Sequence, residues 1–117
     1  MVALQLQTGE KLWFNALPPP SGRGRPGNSA AVTVIPGAVF SAARSGILYA
    51  LSNADGHVLW EFDTAKEFDT VNKVPARGGT MGSAGPTVAG GMLFVGSGYS
   101  FGGGDRNGNV LLAFSAQ

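Results

Sequence analysis

An eleven-residue pattern occurs twice in this chain. Residues 3–13 read ALQLQTGEKLW and residues 50–60 read ALSNADGHVLW, so a shift of 47 lays Ala3 on Ala50, Leu4 on Leu51, Gly9 on Gly56, Leu12 on Leu59 and Trp13 on Trp60 without a gap. Each copy is two short apolar runs around a glycine, the pattern of a strand, a tight turn and an antiparallel strand. The preceding segments repeat as well. SAAVTVIPGAVFSA (29–42) lies on SAGPTVAGGMLFVG (83–96) at a shift of 54, and ILYALS (47–52) lies on VLLAFS (110–115) at a shift of 63. The later copy therefore carries nine extra residues between its second and third apolar runs. Self-similarity at a period of roughly 50 residues implies an array of one supersecondary unit.

Within one copy the apolar runs predict four strands, A to D, over about 30–35, 38–43, 46–52 and 57–62. Residues 1–6 and 11–15 then supply strands C and D of a first unit (1–15). Residues 30–62 form a complete unit, and 84–88, 91–96 and 108–115 supply A, B and C of a third (84–115) that lacks its outer strand. A four-stranded unit of this length, repeated, is a propeller blade. The fold expectation is an all-β, partial β-propeller of about two and a quarter antiparallel blades, with almost no helix. A blade that stops at C invites completion by a strand D from the other end of a longer chain, and a short chain expressed by itself would have to close by oligomerising.

Composition agrees with short strands and many turns: 19 glycines and 7 prolines are spread between apolar runs in a 117-residue chain that is 44% hydrophobic. Eight basic and seven acidic residues leave a net charge of +1, which gives no electrostatic case for nucleic acid. Arg23, Arg25 and Arg44 read as solvated loop charges. No run approaches the ~18 apolar residues of a membrane span, and residues 1–15 lack the sections of a signal peptide. With no cysteine, the chain has no disulfide, thiolate site or covalent haem attachment of its own.

Adjacent blades pack face to face, so a Trp at the start of strand D can lie over its neighbour while its N–H reaches a carbonyl. Ala at the end of C is expected to leave room for the neighbour's ring. These residues carry a family resemblance: Ala-x-Asp/Asn-x-x-Thr-Gly-x-x-x-Trp is the tryptophan-docking motif of PQQ-type quinoprotein propellers, and both copies resemble it. Ala, Gly and Trp are intact; Gln5 and Ser52 depart at the third position, and Asp55 replaces the usual Thr. The motif's side-chain hydrogen bonds are therefore left open.

The segment NKVPARGGTMGSAGPTVAGGMLFVGSGYSFGGGDRNGNVLLAFS (72–115) is similar to the C-terminal end of polyvinyl-alcohol-dehydrogenase-like quinoproteins. The resemblance implies an eight-bladed periplasmic parent that binds pyrroloquinoline quinone (PQQ) with calcium, oxidises an alcohol substrate and hands electrons to a cytochrome c partner, often a haem domain of the same chain. It also implies that residues 1–117 are the C-terminal part, with the calcium ligands and catalytic base in earlier blades, so the chain alone is not expected to turn over alcohol or bind either cofactor. The alternative is a non-catalytic, protein-binding propeller of the outer-membrane assembly type, built from the same repeats.

In such a blade array the A–B and C–D turns share one face, and the long connections 16–29, 63–83 and 97–107 share the other. Binding residues concentrate on such loops. Loop 63–83 is the richest, with Lys66, Glu67, Asp69, Asn72, Lys73 and Arg77. Its end leads toward the propeller axis, which makes Arg77, Gly78, Gly79 and Thr80 the candidates for contact with an anionic quinone: Arg as a carboxylate fork, Gly for close backbone approach. The plainer reading is a solvated Arg77 and a Gly-Gly bend. His57, the one histidine, reads as an exposed strand residue. The Gly-rich 96–109 lacks the Gly-Lys-Ser/Thr ending and following helix of a phosphate loop. Asp105, Asn107 and Asn109 lack the downstream Glu of a calcium loop. PPPSGRGRPG (18–27) reads as a stiff spacer.

Overall fold

The structure is a computed structural model that describes residues 1–17, 27–82, 84–99 and 106–116. Pro18 to Pro20, Arg23, Arg25 and Asp105, on which the spacer, loop-charge and calcium-loop readings rest, lie outside the described residues.

Eleven strands and no helix occur among the described residues. β1 (Val2–Leu4) pairs with β2 (Lys11–Phe14) in a two-stranded sheet. β3 (Thr33–Ile35), β4 (Ala38–Ala42), β5 (Ile47–Ser52) and β6 (Val58–Asp63) form a four-stranded meander in chain order. β9 (Thr87–Ala89), β10 (Met92–Ser97) and β11 (Val110–Ser115) form a three-stranded sheet, also in chain order. All pairings are antiparallel. These sheets hold two, four and three strands in turn. One element was not expected: loop 63–83 contains a short hairpin of β7 (Glu67–Phe68) and β8 (Ala76–Arg77).

The two repeated hairpins are copies at atomic detail. Ala3 faces Trp13 and Ala50 faces Trp60, and each pairing shifts register at the next residue. Gln5 N donates to Glu10 O and Gly9 N to Gln5 O, both at 2.8 Å; Ser52 N to His57 O at 2.8 Å and Gly56 N to Ser52 O at 2.9 Å repeat the scheme. The Thr-to-Asp departure keeps its hydrogen bond, since Thr8 Oγ1 accepts from Glu10 N at 3.2 Å and Asp55 Oδ1 accepts from His57 N at 3.3 Å. The carboxylate also gains the exposed His57 ring, 2.6 Å away. Hydrogen bonds from the Ser52 hydroxyl and from the His57 side chain and backbone lower the Asp55 pKa from 3.8 to about 2.

The sheets join through two apolar clusters. One holds Leu17, Ala43, Tyr49 and Leu51 with Met1 and Ile47 against it; the other holds Ala30, Ala42, Leu48, Met81, Leu93 and Val95, with Phe40, Val88, Leu112 and Phe114 against it. β5 supplies both, because alternate side chains of a strand leave by opposite faces: Ile47, Tyr49 and Leu51 go one way and Leu48 the other. A strand buried on both sides is the mark of a blade between neighbours, and every β5 residue after Ile47 is buried.

The Trp13 ring joins the first sheet to the second. A Cβ built on Gly56 would stand 2.4 Å from Trp13 Cε3, so the ring rests on the glycine. Trp13 Nε1 donates to Asn53 O at 3.0 Å, and Asn15 Nδ2 donates to Gly56 O at 2.8 Å. Ala50 stands opposite Trp60 of its own hairpin, and it is Gly56 that lies beneath the incoming Trp13. One joint thus takes its Trp from the first motif and its Gly from the second.

Trp13→Ala is expected to cost about 3–5 kcal/mol in denaturant unfolding followed by circular dichroism. Gly56→Ala should approach that loss, because the methyl must displace the ring and φ is +75°. The acid limb has a defined sign. A depressed native pKa stabilises above the unfolded value near 3.8, and that contribution disappears as pH falls through about 2. Asp55→Thr should therefore lower the unfolding midpoint slightly at pH 7, the group being fully exposed, and flatten its decline between pH 4 and 2, so that variant and wild type converge below about pH 2.

Candidate functional site

The described parts of connection 63–83 and of the segment before β11 are bound together. Gly46, in the turn between β4 and β5, accepts hydrogen bonds from Thr64 N at 2.9 Å and Thr64 Oγ1 at 2.7 Å. Residues 77–80 run beneath the segment 106–109 and bind it at four points. Thr80 N donates to Arg106 O at 2.8 Å, Arg106 N to Thr80 Oγ1 at 2.9 Å, Asn109 N to Arg77 O at 2.9 Å and Arg77 N to Asn109 Oδ1 at 3.0 Å.

Beneath this strap lies a buried hydroxyl pair. Thr64 Oγ1 and Ser97 Oγ, both with no exposed surface, are 2.7 Å apart. Ser97 Oγ accepts from Gly79 N at 2.9 Å and lies 3.2 Å from Gly79 O. The strap is pressed close enough that only glycine fits: a Cβ on Gly78 would stand 1.7 Å from Thr64 O, and one on Gly79 2.2 Å from Arg106 O. Gly78 N donates to Lys66 O at 2.9 Å. The backbone donors of Gly78, Gly79 and Thr80 are thus all engaged within the chain, and these three residues are buried.

Arg77 differs. It is exposed, it stands opposite Glu67 across the β7–β8 hairpin, and it helps line an open hollow of about 940 Å³ bounded by that hairpin and by Asn107, Gly108 and Asn109. Glu67, Asp69 and Lys73 also line it, with Phe68 and Val74 as apolar wall. The hairpin tip is ordered by Thr70 Oγ1, which lies 2.7 Å from both Asn72 Oδ1 and Val74 O, and Lys73 takes a φ of +57° there. Lys66 Nζ sits 4.5 Å above the Phe62 ring and 5.5 Å from that of Phe68, tying the hairpin to β6. Among the described residues no three His, Cys, Asp or Glu side chains come together as a metal would require. His57 lies at the turn before β6, on the face of the short turns, as expected of an exposed residue.

Of the four sequence candidates, the structure brings Gly78, Gly79 and Thr80 into the strap and leaves Arg77 facing the hollow. Sequence reasoning missed Thr64 and Ser97, and weighed Asn109 only as a calcium-loop oxygen. Asn109 sits in the Gly-Asn-Val run at the head of β11, where an Asn beside a glycine signals a loop-to-backbone anchor. Thr64 and Ser97 carry no sequence signal, because a strand-end hydroxyl is common and only the fold pairs them across 33 residues.

Comparison with known proteins now decides the family. A family model described as outer membrane protein assembly factor BamB, of PQQ-type repeats, matches residues 1–117. The chain belongs to the PQQ-type repeat family. A polyvinylalcohol dehydrogenase of Pseudomonas sp is 44% identical to it over 128 residues, which cover 97% of this chain and 20% of the relative. A second, from Sphingopyxis sp. (strain 113P3), is 41% identical over 129 residues with the same coverage. The chain spans 20% of the length of these relatives. Within this PQQ-type chain no helix among the described residues is long and apolar enough to cross a membrane.

Ser97→Ala is expected to destabilise the chain by about 1–3 kcal/mol, since it strands the Gly79 N–H and removes one of the two oxygen partners of Thr64 Oγ1. Amide exchange at Gly79 should rise more than at Val39, in the distant part of the central sheet.

Proposed function

We propose that residues 1–117 are the C-terminal part of the propeller of a PQQ-dependent alcohol dehydrogenase of the polyvinyl alcohol dehydrogenase type, eight-bladed, periplasmic and coupled to a cytochrome c domain. The observation that carries this reading is the 44% and 41% identity to two polyvinylalcohol dehydrogenases across 97% of the chain. Bound PQQ would supply the two-electron acceptor for alcohol oxidation.

Within that enzyme the residues of this chain hold and shape. Arg77, exposed at the hollow, presents a guanidinium fork suited to a quinone carboxylate. Gly78, Gly79 and Thr80 bring the backbone close and fix where Arg77 stands, with their own donors committed to Lys66, Ser97 and Arg106. The hollow forms part of the wall past which the alcohol would travel. No calcium ligand is assigned here, since the described residues hold no fitting cluster. A second reading, a protein-binding scaffold of the outer-membrane assembly type, has the description of the matching family model in its favour. Quinone-dependent turnover by the full-length protein separates the two.

In the full-length protein Arg77→Ala should weaken quinone binding about tenfold or more, the loss of a charge-assisted pair. An unchanged quinone titration would remove Arg77 from the site. The purified 117-residue chain with added quinone and calcium should show no alcohol turnover, and turnover by it would overturn the assignment of the chemistry to other blades.

A further inference from the structure

Arg77 is held by its backbone. Among the described residues it makes its hydrogen bonds through its peptide N–H and C=O, while its exposed side chain lines the hollow. Both bonds go to one residue. Asn109 Oδ1 accepts from Arg77 N at 3.0 Å, and Asn109 N donates to Arg77 O at 2.9 Å. Asn109 Nδ2 also donates to Pro75 O at 3.3 Å, so the oxygen and the nitrogen of the carboxamide each meet the group they match. On the other edge of β8, Gly78 N donates to Lys66 O and the strand pairs with β7. Asn109 thus takes the place of a second neighbouring strand.

This residue brings the frame of the β9–β11 sheet with it. It directly precedes β11, all six residues of which pair with β10, and the adjoining Val110 is buried. The β7–β8 hairpin has two residue pairs, too few to fix its own position. Glycines set the spacing between the two. A Cβ on Gly98, just past the end of β10, would stand 2.1 Å from Gly108 Cα, and one on Gly108 would stand 2.3 Å from Arg77 O. Gly98, Gly108 and the Arg77 peptide are therefore stacked in contact, with Gly108 N donating to Gly98 O at 3.0 Å.

We propose that Asn109 is a positioning residue of the quinone site, a role that rests on the reading of Arg77 as the fork for a quinone carboxylate. Asn109 fixes the Arg77 peptide against the β9–β11 sheet, so the guanidinium is presented at one place in the hollow. A long side chain on a fixed peptide loses less freedom on binding than one on a shifting hairpin, and the difference appears as affinity. Stability does not account for these bonds. Asn109 and Arg77 are both exposed, and hydrogen bonds at an exposed edge replace bonds to water at little net gain. Their removal therefore costs ligand binding more than it costs the fold.

The test is a cycle of titrations with PQQ on the full-length protein and its Arg77→Ala, Asn109→Ala and doubly substituted forms, with a thermal melt of each. Asn109→Ala should weaken PQQ binding about three- to tenfold. Its melting midpoint should stay within about 2 °C of the wild type. In the Arg77→Ala background the same substitution should change the affinity no further, because it acts through Arg77. If Arg77→Ala leaves the titration unchanged, the quinone reading fails and the positioning role goes with it. If Arg77→Ala weakens binding while Asn109→Ala does not, or weakens it equally without Arg77, the quinone reading stands and the positioning role is overturned. An Asn109→Ala protein that fails to fold overturns the role as well, since the bonds would then serve stability.

Discussion

Sheets in this chain share no strands, so whatever relates the first sheet to the second must be made by side chains lying across a gap. The indole of Trp13 on Gly56 is that connection. It combines a large apolar area with a hydrogen bond to Asn53 O, and Asn15 adds a second polar tie to Gly56 O, the carbonyl of the same glycine. Apolar contact alone would allow the sheets to slide; two directed hydrogen bonds to one turn do not. The turn itself is prepared by two backbone bonds and one side-chain acceptor, Thr8 in one copy and Asp55 in the other.

The joint between the second and third sheets is held differently. There the repeat puts Phe62 where Asn15 stands in the first joint, and Trp60, Phe62 and Phe114 form an aromatic group. On the face of the long connections, the hydroxyls of Thr64 and Ser97 tie β10 to the strap at Gly79. One end of the joint is thus apolar and adaptable, and the other is a buried polar network with every donor placed. Buried polar groups gain from their low-dielectric surroundings when fully paired and cost heavily when not, which makes the strap rigid. That rigidity holds Arg77 at the hollow, since its backbone N–H and C=O are both bound by Asn109.

Much of the architecture was legible because the repeat aligns strands with strands. The edges of β4, β5 and β6 fall within one residue of the apolar runs that predict them, since each run ends at a turn glycine or a polar residue. β3 and β9 begin three residues later than predicted: Ala30 is buried, but its segment serves the core outside the ladder, and Thr33 Oγ1 donates to Pro86 O between the sheets. The β7–β8 hairpin was invisible, because two-residue strands of Glu-Phe and Ala-Arg have no alternation to read and are stabilised by distant partners, Asn109 and the Lys66 contacts with Phe62 and Phe68. Of the candidate site, the Gly-Gly pair announced a close backbone approach, but not to what.

The sequence by itself determined the blade unit, its strand order and the two repeated hairpins, because strand alternation, glycine turns and the spacing from Ala to Trp are local and repeat with the chain. Only the tertiary structure decided which glycine meets which tryptophan, that Gly78 and Gly79 face Thr64 and Arg106, and that Arg77 alone of its group remains exposed at the hollow. Those outcomes depend on contacts between residues 14 to 43 positions apart, from Gly78 against Thr64 to the seating of Trp13 on Gly56. No local pattern records such a contact, since it exists only when two blades are packed face to face.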